Sequence, residues 1–291
     1  MSQVGRGRTG GLRAPVLLAP AGIWYLAFFV VPLGFILVFS FLTSADYGGV
    51  EFRFSLENYH QIASATIFLR IFLNTLLMAL SGTLLCLLIG YPLAYFLATR
   101  AGRWKNLLLI LLIVPFWTSF LTRTYAWLIL LSDNGPLAHL LQGAGLLQKD
   151  LNFLYSYKAV LLGIVYNYLP LMIFPLYVSL ERLDRRLLEA AKDLGAGRFA
   201  AFRRVTVPLT MPGILTGGLL VFIPLMGEYV IPSILGGAKS YMVGNLIGNE
   251  FVSAHDWAFG SALGMTVIAL LLILIVVYFR VGRGGATEAA R

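Results

Sequence analysis

Six long apolar runs, 16–41, 72–98, 107–131, 159–180, 211–235 and 258–279, constrain this chain more than any other feature. A helix rises 1.5 Å per residue, so roughly 20 apolar residues cross the hydrocarbon core of a bilayer. Each run is long enough. Helices satisfy their own backbone hydrogen bonds, which lipid cannot do, so the expected fold is all-α with six transmembrane helices. Composition agrees: 59% of residues are hydrophobic and 12% charged, against about 25% charged in an ordinary soluble domain. Most runs contain Pro or Gly, which membrane helices tolerate when neighbours satisfy the freed groups.

The run at 16–41 follows Arg6, Arg8 and Arg13, as a secretory signal would. At 26 residues it exceeds the apolar stretch of a signal, about 7–15 residues, and no small-residue cleavage site follows. It reads as an uncleaved first helix.

The basic residues set the expected orientation. With the N-terminus inside, 16 of the 22 lysines and arginines fall in inner segments, at the two termini, 99–106 and 181–210. Five fall outside: Arg53, Arg70, Lys149, Lys158 and Lys239. Arg123 alone lies within a span. The positive-inside rule then places both termini in the cytoplasm. It also accounts for the net charge of +9 without nucleic acid.

The expected organisation is a cytoplasmic tail at 1–15, a first transmembrane helix with its outer loop at 16–71, a membrane module at 72–281 and a short cytoplasmic tail at 282–291. The outer segments 42–71, 132–158 and 236–257 are too short for independent domains of about 50 residues or more. Cys86 is the only cysteine, so no disulfide forms within the chain. His60, His139 and His255 lie far apart, and none has a Cys or His at metal-ligand spacing.

The inner segment 181–210 is polar and hinged. In "ERLDRRLLEAAKDLGAG", Leu183, Leu187, Leu188, Ala191 and Leu194 share one helical face. Gly195 ends the run, as glycine does just past a helix. Phe199, Phe202 and Val205 suggest a second short helix, and Pro208 and Pro212 restart the chain as the fifth span. Such a pair either docks its stripe in a partner's groove or lies on the lipid interface.

"EAAKDLGAGRFAAFRRVTVPLTMPGI" resembles the EAA loop of permease subunits of binding-protein-dependent ABC importers, the MetI-like, type I family. Glu189, Ala190, Ala191, Gly195, Val207 and Pro208 match its pattern in order and spacing, with Val207 where Leu is commoner. "VPFWTSFLTRTYAW" (114–127) and "GEYVIPSILGG" (227–237) resemble the spermidine/putrescine, PotB-type branch. The resemblance implies that this loop seats in an ATPase subunit and transmits its motion, with Glu189, Ala190, Ala191, Gly195 and Pro208 as the coupling residues. It further implies a second permease subunit, PotC-like and a different chain, an ATP-binding cassette ATPase dimer inside and a solute-binding protein outside. The solute would be a polyamine such as putrescine or spermidine. Other solutes of the same class, phosphonate- or opine-like, remain open, as does a membrane scaffold whose loop docks a different partner.

Nothing in the sequence is a motor. "GGAKS" (236–240) lacks the Gly-Lys pair of a phosphate-binding loop, and no H-E-x-x-H or G-x-S-x-G occurs. The chain is therefore expected to be no enzyme and to bind no cofactor, with ATP and Mg on the separate ATPase.

Charges within a membrane are functional candidates by default. Glu228 sits between Pro224 and Pro232, beside Gly227. By helical rise, Glu228, Asn167 and Arg123 share a level in the outer half of three spans, roughly 10–12 Å below the outer ends. Tyr125, Trp127, Tyr166, Tyr168 and Tyr229 lie near it. A carboxylate among aromatic faces suits an organic cation. The expected solute path therefore carries Glu228, Tyr229, Asn167, Arg123, Tyr125 and Trp127. Arg123 could instead snorkel outward or pair with Glu228, and the aromatics could form an interfacial belt. "GSALG" (260–264) has spacing suited to close helix contact.

Overall fold

A computed structural model describes residues 13–45, 48–145 and 152–288. Arg6, Arg8, Lys149 and Arg291 of the charge argument lie outside the described residues. The chain divides into two compact units. One comprises the described residues up to Ser64 with Glu250–Thr266, and the other runs from Ala65 to Asn249 and resumes at Val267.

In the first unit, α1 (Arg13–Tyr25) passes through a π-helical turn into α2 (Val31–Phe39). Leu18–Phe39 is apolar enough to cross a membrane and has no buried residue. The outer segment that follows departs from a purely helical plan. β1 (Leu42–Ser44) pairs antiparallel with β2 (Val50–Phe54), Ser44 opposite Val50. "VEFRF" is the β-branched and aromatic composition that favours a strand, and Phe41 stacks on Phe54 at 5.7 Å. α3 (Glu57–Ser64) closes the hairpin, where the Asn58 side chain donates to Leu42 O at 2.9 Å. Ser44 Oγ donates to Asp256, which also caps the following helix through Phe259 N.

The second unit is built on α4 (Thr66–Thr99), α8 (Tyr157–Glu181) and α12 (Met211–Met226), which pack on one another. Between helices in lipid the hydrophobic effect contributes little, so close packing must hold them. Small residues make it possible: a Cβ on Gly217 would stand 2.8 Å from Met172 Sδ, and one on Gly82 would stand 2.8 Å from Ile164 Cγ2. Met78, Ile164, Met172, Ile173, Leu176 and Leu225 are fully buried there. α4 has 34 residues, about 50 Å of helix, so it extends past the hydrocarbon or tilts.

Among the described residues, four helices meet the length and hydropathy of a membrane span, and six spans result if each of two bent pairs counts as one. The runs 107–131 and 211–235 are not single continuous helices. In the first, α5 (Lys105–Ile113) tightens into a 3₁₀ turn at Val114–Trp117, then Thr118 and Ser119 are extended before α6 (Phe120–Leu131). The two arms bend by 90°. Pro115 lacks a donor, and the extended pair breaks the ladder outright. α7 (Pro136–Gly143) follows α6.

The inner segment holds α9 (Arg185–Asp193), then α10 (Arg198–Ala201), which continues through a π turn into α11 (Val207–Leu209). A 63° bend at Thr210 joins this arm to α12. The apolar run 211–235 is then interrupted at Gly227–Tyr229, after which Pro232–Gly236 forms a separate turn. Beyond it lie α13 (Val243–Asn249) and α14 (Trp257–Glu288). Gly260 of "GSALG" approaches the Phe251 ring closely, a packing contact, whereas a Cβ on Gly264 would meet nothing.

Candidate functional site

Two places hold the residues singled out by sequence: the inner loop and the break after α12.

The loop is an exposed helix pair with a defined hinge. Asp184 caps α9, its carboxylate accepting Arg186 N at 3.0 Å. At the other end Gly195 adopts φ +85. Gly195 N donates to Lys192 O at 2.8 Å and Ala196 N to Ala191 O at 2.9 Å. This is a Schellman closure with Gly195 in the left-handed position that glycine tolerates. Space does not demand the glycine, since a Cβ there would meet nothing within 4 Å. Glu189, Ala190 and Pro208 are exposed and Ala191 is half-buried. The expected apolar stripe divides: Leu183 and Leu188 turn inward, while Leu187 and Leu194 stay exposed, Leu194 at 89%, with Phe199 beside them in sequence. Beneath α9, a cavity of about 230 Å³ is lined by Tyr95, Thr99, Glu181, Leu188, Glu189 and Lys192. Glu181 pairs with Lys105 across the inner ends of α8 and α5.

The loop is tied to the bundle by contacts that sequence reading did not find. The Phe202 ring stands edge-on to Tyr91 at 5.6 Å and to Tyr95 at 6.2 Å, both on α4. At the bend, Thr210 Oγ1 donates to Thr206 O at 2.8 Å, leaving it to accept from Tyr91 OH at 2.8 Å. Phe202 lies 111 positions from Tyr91 and 107 from Tyr95, and Thr210 lies 119 from Tyr91, so no local pattern links them.

At the second place, Glu228 is 6% exposed and both its oxygens are engaged. Oε1 accepts Val230 N at 2.9 Å and Ile231 N at 3.2 Å, and Oε2 accepts the Tyr168 hydroxyl of α8. Accepting from the second and third residues onward is the geometry of a helix N-cap. Tyr168 meets the Phe120 ring edge-on at 6.4 Å, and the Arg123 guanidinium lies 5.9 Å from Phe120 and 4.5 Å from Phe116. The structure thus brings Arg123 and Glu228 into one line through aromatic rings without an ion pair between them. Arg123 Nε and Nη1 are buried without a hydrogen bond, and the ring faces supply the attraction.

Asn167 is 3% exposed and its Nδ2 donates to Gly163 O of its own helix at 2.9 Å, leaving Oδ1 without a partner among the described residues. Trp127 stands edge-on to Tyr166 at 5.4 Å and flanks an apolar groove of about 500 Å³ with Leu85, Leu161 and Val165. Tyr125 and Tyr229 are exposed. Of the six pathway candidates, then, Glu228 and Arg123 join one aromatic line, and Asn167 turns to its own backbone. Among the described residues no group of His, Cys, Asp and Glu is placed to hold a metal.

Comparison with known proteins follows the same lines. Residues 90–282 match the family model of the binding-protein-dependent transport system inner membrane component. The chain is 42% identical over 260 residues to the spermidine/putrescine transport system permease protein PotB of Escherichia coli K12, covering 89% of this chain and 94% of that one. It is 41% identical to PotB of Haemophilus influenzae, with 89% and 91% covered. The inner membrane ABC transporter permease protein YdcU of Escherichia coli K12 is 32% identical, with 75% and 72% covered. In fold, it is similar to a chain of a bacterial ABC transporter involved in the import of the acidic polysaccharide alginate, with a TM-score of 0.74 at 15% identity over 93% of this chain and 95% of that one. It also resembles a chain of the inward-facing MetNI methionine ABC transporter, with a TM-score of 0.53 at 18% identity over 77% and 96%. This inner-membrane, multi-pass chain thus belongs to the family of binding-protein-dependent transport system inner membrane components, the permease subunits of ABC importers.

Proposed function

We propose that this permease forms half of the solute path of a polyamine importer and couples it to an ATPase. The observation that carries the solute class is the 42% identity to PotB, a spermidine/putrescine permease, over 89% of this chain. The other half is a second, PotC-like permease subunit. A solute-binding protein delivers the polyamine from outside, and an ATPase dimer holding ATP and Mg sits at the inner face. Both termini lie in the cytoplasm.

The coupling element is the inner loop. Glu189, Ala190, Ala191, Gly195 and Pro208 carry it, and the exposed Leu194 and Phe199 are apolar surface suited to an ATPase cleft. ATP binding would close the ATPase dimer and draw the loop with it. The Phe202 contacts with Tyr91 and Tyr95 and the Tyr91–Thr210 bond would carry that movement into α4 and α12. The solute would pass Tyr229, Tyr125 and Trp127, whose ring faces attract organic cations. Glu228 and Asn167 are buried and Arg123 is half-buried.

The test is uptake of labelled putrescine and spermidine by cells expressing the complete transporter, with wild-type or Glu189→Arg permease. Uptake by wild type, lost in an assembled Glu189→Arg complex, is the expected result. An assembled, ATP-hydrolysing complex that takes up neither polyamine would discard the solute. Full uptake by Glu189→Arg would discard the coupling role.

A further inference from the structure

The break after α12 is irregular backbone held by its own hydrogen bonds. α12 ends with Gly227 N donating to Pro224 O at 3.1 Å and Glu228 N to Leu225 O at 3.3 Å. The next turn begins at once, and its first free donors, Val230 N and Ile231 N, are met by the Glu228 carboxylate. A charged acceptor at a helix start is favoured both by the hydrogen bonds and by the aligned peptide dipoles. Buried, it needs its remaining oxygen satisfied as well, and Tyr168 does so.

A second element presses on the same elbow. A Cβ on Gly244 of α13 would stand 2.6 Å from Glu228 O and 2.7 Å from Gly227 O, so the two backbones meet where only glycine fits. Asn245 beside it donates to Tyr229 O at 2.9 Å and to Ser233 Oγ at 2.6 Å, and accepts Met242 N at 3.0 Å. α13 is itself fixed to α4, since Thr75 Oγ1 accepts Val243 N at 2.9 Å. The elbow is therefore held by its own carboxylate, by α8 and by α13. Out of it one side chain projects: Tyr229, 54% exposed between a buried Glu228 and a half-buried Val230.

We propose that Glu228 is a positioning residue that fixes this elbow, and that Tyr229, which it presents, is the group that meets the solute. The solute half of this rests on the importer reading above; the elbow half does not. Both Glu228 oxygens are turned to partners within the chain and the residue is buried, whereas the Tyr229 ring is open to a cation. What Glu228 supplies is an acceptor in the right place rather than a charge. A glutamine keeps that acceptor: its Oε1 can take both backbone N–H groups, and its amide can donate to the Tyr168 oxygen.

The experiment uses the complete transporter carrying Glu228→Gln, Glu228→Ala, Tyr168→Phe or Tyr229→Ala. Amide hydrogen exchange across 229–236 reads the elbow without solute, and spermidine uptake kinetics read KM apart from maximal rate. Glu228→Ala should raise exchange at Val230 and Ile231 about fivefold or more, the scale of a lost N-cap, and reduce uptake. Glu228→Gln should restore both to near wild type, and Tyr168→Phe should fall between. Tyr229→Ala should raise KM while exchange stays unchanged. A Glu228→Gln that raises KM as strongly as Glu228→Ala, with exchange unaltered, would mean the carboxylate charge itself holds the cation and would overturn the proposal. So would unchanged exchange in Glu228→Ala. Should Glu228→Ala fail to assemble, Glu228→Gln and Tyr168→Phe still decide. A wild-type complex that transports no polyamine would sink the solute reading, and the exchange results would judge the elbow on their own.

Discussion

At the scale of single residues, the conformation a residue must adopt separates the roles of otherwise similar glycines. Gly217 and Gly244 are needed for space, because a Cβ would collide with Met172 or with the backbone of Glu228. Gly195 is needed for its backbone angle alone, at φ +85 in open surroundings. A side chain there costs about 1–2 kcal/mol of local strain, enough to loosen the hinge without disturbing the bundle. Gly195→Val should therefore leave assembly and ATP hydrolysis intact while lowering solute transported per ATP. Gly195→Asn should be milder, because asparagine visits the left-handed region more readily. Transport and hydrolysis measured together on reconstituted complexes check this; undiminished coupling in Gly195→Val would show that the hinge angle is dispensable.

Among elements, one ring makes two of the contacts that link loop and bundle. Phe202 touches both Tyr91 and Tyr95, and each edge-to-face pair is worth about 0.5–1.5 kcal/mol. Phe202→Ala should uncouple transport more than Phe199→Ala does, since Phe199 makes no comparable ring contact among the described residues and stays exposed. Tyr91→Phe, which loses only the bond to Thr210, should give a smaller defect. Equal effects of Phe202→Ala and Phe199→Ala would locate the transmission elsewhere. None of this was legible in the sequence, because the partners lie more than 100 residues apart. The helices themselves were legible: the runs 72–98 and 159–180 fall within α4 and α8. Their breaks were not, because proline alone does not decide. Pro92, Pro170 and Pro175 sit inside continuous helices, while Pro115 precedes a 90° bend. What differs is the extended pair Thr118–Ser119, a backbone choice with no distinct sequence signal. The strand pair at 42–54 carried its own signal, aromatic and β-branched residues on either side of Gly48–Gly49, and composition dominated by helices hid it. Sequence singled Glu228 out through its charge and its broken surroundings. The cap was within reach of a local reading, two and three residues away, whereas Tyr168 lies 60 positions distant.

For the whole molecule, orientation is the property from which the other assignments take their sense. The coupling loop can meet an ATPase only if 181–210 faces the cytoplasm, and that placement rests on charge. The segment carries seven lysines and arginines, whereas 42–71 and 132–158 together carry four. Insertion follows the basic residues that flank spans, while acidic residues weigh little, so the near-balance of acids between the two sides does not compete. The chain offers a clean way to read the outcome. Its only thiol, Cys86, is fully buried against α8 and α12 neighbours, so cysteines introduced elsewhere are read over a quiet background. Leu194→Cys, exposed on the loop, should react with a membrane-impermeant maleimide only after the cytoplasmic face is opened. Glu51→Cys, exposed on β2, should react in intact cells once the outer membrane is permeabilised. The reverse pattern would turn the chain over, and with it the loop could not serve a cytoplasmic ATPase.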